Sequence, residues 1–424
     1  MTQPATQAAT RQATRARPEP DVMDPALLRD PVAGYGQLRE EAPVLRGRAP
    51  DGSPCWFVTR QADVRTVLGD PRFVNSATSV SGVAVDNLRD KLTEMIGIPR
   101  ELAHYFTDSI LDADGEDHTR LRKLVSRAFT VRRIGALRPR VEEITAGLLD
   151  RLATREGPVD LIAEFAYPLP ITVICELVGV PEEDRPAWRR WGAVLMTMNP
   201  EQTPAVAREM IDHIHDLVAR RRAEPADDLL TALVQVQEED GDRLSADELV
   251  TMVLTLVLAG HETTAHLIGA STLALLTHPD QLARLRAEPE LWPGAVHELM
   301  RWCGPVQISR ARYAAQDVEL GGVTIRRGEV VQPVLVSANH DPREYTEPER
   351  LDVTRRPAGR GEGHVGFGHG FHYCLGAALA RQEGEVALRA LFERFPDLAL
   401  AGEEREWVPV PGVRRLARLP LLLR

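Results

Sequence analysis

The chain has 424 residues, 43% of them hydrophobic, and a formal charge of −11. That is enough apolar material for a large core, and the acidic balance argues against general binding to nucleic acid or to an anionic membrane surface. The four cysteines, Cys55, Cys175, Cys303 and Cys374, are far apart with no CxxC pair, so neither a disulfide framework nor an iron–sulfur cluster is expected.

The first twenty residues, "MTQPATQAATRQATRARPEP", are polar and lack an apolar stretch. They read as a disordered tail, neither signal peptide nor anchor, ahead of a single domain over 21–424. Residues 43–60 read as a hairpin with Asp51-Gly52 at the turn. Over 117–133, Leu121, Leu124, Val125, Ala128 and Phe129 fall at helical spacing. Ser245 and Glu248 predict a capping box that opens a helix running to about Thr277, stopped by Pro279. The apolar run 249–260 in that helix meets His261 and Glu262 and is too short to span a bilayer. Residues 317–336 are strand-rich and turn at Gly321-Gly322; 376–395 reads as a last helix. The sum is a mainly α protein with a small β portion, soluble and cytoplasmic.

One stretch stands out, "FGHGFHYCLG" from Phe367 to Gly376. Three readings of Cys374 are open. With His369 and His372 it gives an H-x2-H-x-C set for zinc, which wants a fourth ligand such as His364. It can be a buried, inert thiol. As an axial thiolate for haem iron it gives every neighbour a task. Gly368 and Gly370 let the backbone approach a flat macrocycle, and the helix starting near Gly376 favours negative charge on the sulfur.

The same stretch resembles the cysteine-loop signature of cytochrome P450, the haem-thiolate monooxygenases, F-G-x-G-x-H-x-C-x-G. Phe367, Gly368, Gly370, His372, Cys374 and Gly376 fill all six fixed positions. "AGHETT" (259–264) resembles the family's oxygen-activation motif. That implies Glu262 as the acid and Thr263 as the alcohol of a proton relay to oxygen, with Ala259 and Gly260 beside the cofactor and Gly260 leaving room for oxygen. "ELMR" resembles the family's E-x-x-R motif and implies a buried ion pair of Glu298 with Arg301, with Arg350 as a third member. His118, Arg122, Arg312 and His372 are the implied partners of the haem propionates; Arg310 competes with Arg312 for that place. The fold implied is that of the family, with haem b held between the long central helix and the cysteine-loop helix and Cys374 thiolate on the iron. Implied partners are O2, a ferredoxin and a ferredoxin reductase. The basic cluster Arg120, Lys123, Arg127, Arg132 and Arg133 suits an acidic electron donor.

Specificity is expected in the segments 74–117, 191–215 (with Leu195, Met196 and Met198), 304–309 and 409–413, and around Leu256 and Ala259. The segments "HTRLRKLVSRAFTVRR" and "YPLPITVICELVGVPEEDRPAW" are similar to actinobacterial enzymes that tailor macrolides and other polyketides. "MVLTLVLAGHETTAHLIG" with "HELMRWCGPV" is similar to a narrower group oxidising avermectin-type macrolides and large cyclic peptides. The implied reaction is hydroxylation or alcohol oxidation of a bulky hydrophobic macrocycle. Competing readings are a peroxygenase, a phenol-coupling enzyme, a hydroxylase of a steroid-like substrate, a haem-based gas sensor and a zinc-binding structural protein.

Overall fold

The longest element is the central helix, Ala246–Thr277. It opens with the expected capping box: Ser245 Oγ accepts the Glu248 N–H, and Glu248 returns a carboxylate to the Ser245 N–H at 2.7 Å. It ends where Pro279 begins the next helix, Pro279–Ala287. Most of its residues are buried, because helices Pro168–Val178, Trp292–Cys303 and Ala377–Arg394 pack around it. The computed structural model describes residues 19–197, 199–239, 243–357, 361–403 and 405–423. Residues 1–18 of the expected tail, and Met198, lie outside the described residues.

The segment 117–133 forms two helices rather than one. Gly115–Ala128 ends at Phe129, and Thr130 caps a short second helix, Val131–Ala136, by accepting the Arg133 N–H at 3.1 Å. A threonine poised to cap competes with helix continuation.

The hairpin forms as expected, Val44–Arg48 against Pro54–Val58, with Leu45 opposite Phe57. It belongs to a five-stranded sheet. Pro54–Val58 pairs in parallel with Val330–Pro333, Cys55 facing Val330, and Arg312–Ala314 and Phe73–Val74 complete the order. The stretch 317–336 therefore divides. Val318–Leu320 and Val323–Ile325 make a separate ribbon, while Val330–Pro333 joins the large sheet. Gly321 and Gly322 turn the ribbon with φ of 57° and 83°. Val159–Asp160, Pro420–Leu422 and Ala399–Leu400 form a third sheet.

The largest apolar cluster lies among the helices; a smaller one lines the five-stranded sheet. The central helix and the cysteine-loop helix Ala377–Arg394 are in direct contact. Among the described residues no helix is long and apolar enough to cross a membrane.

Candidate active site

The cysteine loop folds as its glycines require. Gly368 and Gly370 take φ of 76° and 70°. A Cβ on Gly370 would lie 2.6 Å from the Leu68 carbonyl oxygen, so this position admits only glycine. The Cys374 N–H closes the loop on Phe367 O at 2.9 Å. Phe367, Leu267, Met300 and Ala377 pack behind it, with Tyr373 and Ala380 alongside. Burial pushes the Cys374 thiol above its ordinary range, although the Gly376 N–H and Arg122 pull the other way. The helix start thus favours the thiolate as expected but does not win alone; a cation on the sulfur must supply the rest. His369 and His372 do not converge on Cys374. His369 Nδ1 faces Arg65 at 3.4 Å and His372 Nε2 faces Asn75 at 2.5 Å, so the zinc set of the sequence is not assembled.

His118, Arg122, Arg312 and His372 do come together. The rings of His118 and His372 lie 4.0 Å apart. Arg122 donates to Tyr373 O at 2.5 Å, fixing the residue before the cysteine. Arg312 is 4% exposed, and its guanidinium reaches only Arg310 O at 3.5 Å. Burial holds it down at about 10. Arg310 is paired with Asp112. His118 Nε2 is buried without a partner. Among the described residues neither Arg122 nor Arg312 has a carboxylate partner. Burial and the neighbouring His118 and Arg312 hold His372 down at about 3, so it stays neutral.

The central helix meets the cysteine loop through Leu267, and its middle carries the acid and the alcohol. Ala259 is exposed, between half-buried Leu258 and Gly260. Thr263 Oγ1 donates to Ala259 O at 2.9 Å, a bond that competes with the helix ladder. A Cβ on Gly260 would meet Ile174 Cγ1 at 3.2 Å, so the missing side chain also leaves room for the helix Pro168–Val178. Glu262 is buried and bound by two histidines that sequence reasoning did not single out. His266 Nε2 lies 3.0 Å from Glu262 Oε2, and His261 Nε2 lies 3.6 Å from Oε1. Tyr167 OH reaches His261 Nε2 at 2.9 Å. Burial pushes the Glu262 carboxyl up, but the two histidines more than offset it and bring it down to about 2. The i, i+4 spacing of Glu262 and His266 was the available signal; Tyr167 left none.

Glu298 and Arg301 form the expected buried pair, with contacts of 2.7 and 2.8 Å. Arg301 also donates to the carbonyls of Asn339, Pro348 and Arg350. The third member is not Arg350, whose side chain pairs with exposed Glu347. It is Arg355, whose Nε lies 3.1 Å from Glu298 Oε1. Only the backbone carbonyl of Arg350 enters the network.

A cavity of about 300 Å³ gathers three of the expected specificity segments: Leu88, Leu92 and Leu111 from 74–117, Ile308 from 304–309, and Pro411 to Val413. Asn75 links its wall to His372. No described residue of 191–215 lines that wall; Leu195 is buried in the helical core, and the Met196 side chain and Met198 lie outside the described residues. Of the basic cluster, Arg120 pairs with Glu248 and Arg133 with Asp227. Lys123, Arg127 and Arg132 are exposed, and Phe371 of the cysteine loop is 60% exposed.

Residues 193–407 match the Cytochrome P450 family. The chain is 44% identical to the 6-deoxyerythronolide B hydroxylase of Saccharopolyspora erythraea, over 95% of this chain and 98% of that one. It is 44% identical to the vitamin D(3) 25-hydroxylase of Pseudonocardia autotrophica, over 95% and 96%. The solved structure of the Bacillus subtilis bacillaene polyketide synthase cytochrome P450 PksS superposes with a TM-score of 0.85 at 37% identity, covering 95% of this chain and 99% of that one. A loop built around one cysteine, and a long helix carrying an acid and an alcohol, are thus found together in a chain that belongs to the cytochrome P450 family of haem-thiolate monooxygenases.

Proposed function

We propose that this monooxygenase puts one oxygen atom of O2 into a bulky hydrophobic macrocycle, a macrolide or a cyclic peptide, by hydroxylation or alcohol oxidation. The observation that carries the chemistry is the pairing of one half-buried sulfur with two arginines, Arg122 and Arg312, that have no direct carboxylate partner among the described residues. Cys374 would hold the iron, and His118, Arg122, Arg312 and His372 would receive two propionates; Arg312 and His118 Nε2 otherwise lack buried partners. When bound, the haem supplies the iron at which O2 is activated. The chain's own task is to bring protons. Thr263 Oγ1 is the last donor, and Glu262 with His261, His266 and Tyr167 forms the store behind it. Among the described residues Glu262 and Thr263 are not hydrogen-bonded to each other, so water closes that gap in our reading.

The macrocycle reading is supported by likeness to the 6-deoxyerythronolide B hydroxylase and to the polyketide enzyme PksS, and by the apolar share of the cavity wall. The likeness to a vitamin D(3) hydroxylase favours a second reading, a steroid-like substrate. Electrons would come from a ferredoxin and its reductase. Exposed Lys123, Arg127 and Arg132 with Phe371 offer charge for steering and one apolar anchor.

The test begins with the reduced protein under carbon monoxide, where a strongly red-shifted Soret band reports thiolate on iron. Spectral titration with macrolides, cyclic peptides and secosteroids then separates the two substrate readings. In Thr263→Ala, electron consumption should continue while product per electron pair falls roughly ten-fold or more. Unchanged coupling would overturn the role given to Thr263.

A further inference from the structure

Three side chains of metal-ligand type converge between the helix Trp292–Cys303 and the approach to the cysteine loop. His297, Glu362 and His364 offer ligand atoms within 4.8 Å of one another, the one such group found among the described residues. His297 precedes Glu298 on the helix; Glu362 and His364 lie just before Phe367. Among the described residues each carries a buried polar atom without a hydrogen-bond partner: Nδ1 of His297, which lies 3.8 Å from Glu362 Oε1, Oε2 of Glu362 and Nε2 of His364. Buried polar atoms are rarely left unpaired, and three around one point indicate a missing occupant. His364 is 5% exposed, whereas the His297 side chain is 30% exposed. The point is reachable from outside, since two clefts of about 480 and 500 Å³ both have His297 and Glu362 in their walls.

The donor types narrow the occupant. Two imidazoles and one carboxylate suit a borderline divalent ion, with water completing the shell. Calcium and magnesium want oxygen throughout. Burial holds both histidines below their ordinary range, so protons do not compete for their lone pairs. Two features limit affinity. Glu362 Oε1 is already paired with Arg381, leaving Oε2 as a single ligand atom. The Gly366 N–H lies 3.2 Å from His364 Nδ1, a contact given up when Nε2 takes the metal and Nδ1 keeps the proton.

We propose that His297, Glu362 and His364 form a binding site for one zinc-class divalent ion, separate from the haem iron. Its occupation ties the helix bearing Glu298 to the loop bearing Phe367, whose ring lies 5.8 Å from that of His364. The site stands apart from the substrate and proton-relay readings above. The rival occupant is one ordered water, which three polar partners would also hold.

The experiment uses chelator-washed holoenzyme dialysed against Zn²⁺, with metal analysis and thermal unfolding. One zinc per chain should be retained beyond the haem iron, with micromolar affinity, and zinc should raise the unfolding temperature. His297→Ala and Glu362→Gln should each weaken retention by roughly ten-fold or more, on the scale of losses at metal sites. The reduced carbon monoxide spectrum should be unchanged in both variants, showing that the fold survives. Should His297→Ala lose haem, His297→Gln gives the same comparison with less loss of volume. No zinc retained by the unmodified protein at about 100 μM free metal would assign the site to water and overturn the proposal. Equal retention in protein and variants would place the ion elsewhere and overturn it too.

Discussion

Two arginine-centred clusters of this molecule differ in completeness. Around Glu298, both carboxylate oxygens are bonded, and Arg301 spends its donors on Glu298 and three carbonyls. Around Arg312 no carboxylate is bonded directly among the described residues, Asp114 and Asp112 acting only through space, and His118 Nε2 has no partner there. The first cluster is finished by the chain; in our proposal the second is finished by the haem propionates. Buried charge alone therefore says little about function, while its unfinished bonding says a great deal.

The comparison can be broken most forcefully at Glu298. Glu298→Ala strands Arg301 in the interior, and a loss of about 3–5 kcal/mol is expected. Denaturant unfolding and the yield of haem-loaded protein read it. Arg312→Leu should behave oppositely in the two states. The haem-free protein should keep or gain stability, while haem binding should weaken by about 1.5–3 kcal/mol, the worth of hydrogen bonds to a charged group. Equal destabilisation of both forms would remove the distinction between the clusters. Arg355→Ala should cost about 1–2 kcal/mol, because Glu298 keeps its other partners.

His340, close to the finished cluster, adds a dependence on pH. Burial first, and then Arg301, holds it down at about 4. The unfolded chain takes up this proton near pH 6.5 and the folded chain does not. Stability from the neutral ring is thus complete above about 6.5 and is lost as pH falls toward 4, at up to about 1.4 kcal/mol per unit. Denaturant midpoints between pH 7 and 5 should show this slope, and His340→Gln should reduce it, leaving the part due to His364 and His372. The smallest effect is expected at Arg350, where alanine should stay within about 0.5 kcal/mol; a large loss would restore it as the third member beside Glu298.

These clusters also mark the limits of reading the sequence. The cysteine loop, the capping box at Ser245 and the i, i+3 pair of Glu298 and Arg301 were legible because each is local: a turn, a cap and one face of one helix. Arg355 was not, because it reaches Glu298 through an irregular loop with no period to follow. Nor was the network behind Glu262, since Tyr167 stands on a different helix start and only folding brings it to His261. At Gly260 the need for a small residue was visible, but its contact with Ile174 was not, because that depends on the packing of Pro168–Val178.

The parallel pairing of Pro54–Val58 with Val330–Pro333 has a consequence for how the protein is made. The hairpin leaves the ribosome early, with one edge unfilled, and its partner strand is about 275 residues behind it. At ordinary synthesis rates that is a wait of roughly 15–55 s. During it, an edge with unpaired N–H and C=O groups and buried-type side chains such as Phe57 is open to other chains. Production should therefore gain from slower initiation, lower temperature or added chaperones, through the nascent chain alone and without any change in the finished enzyme.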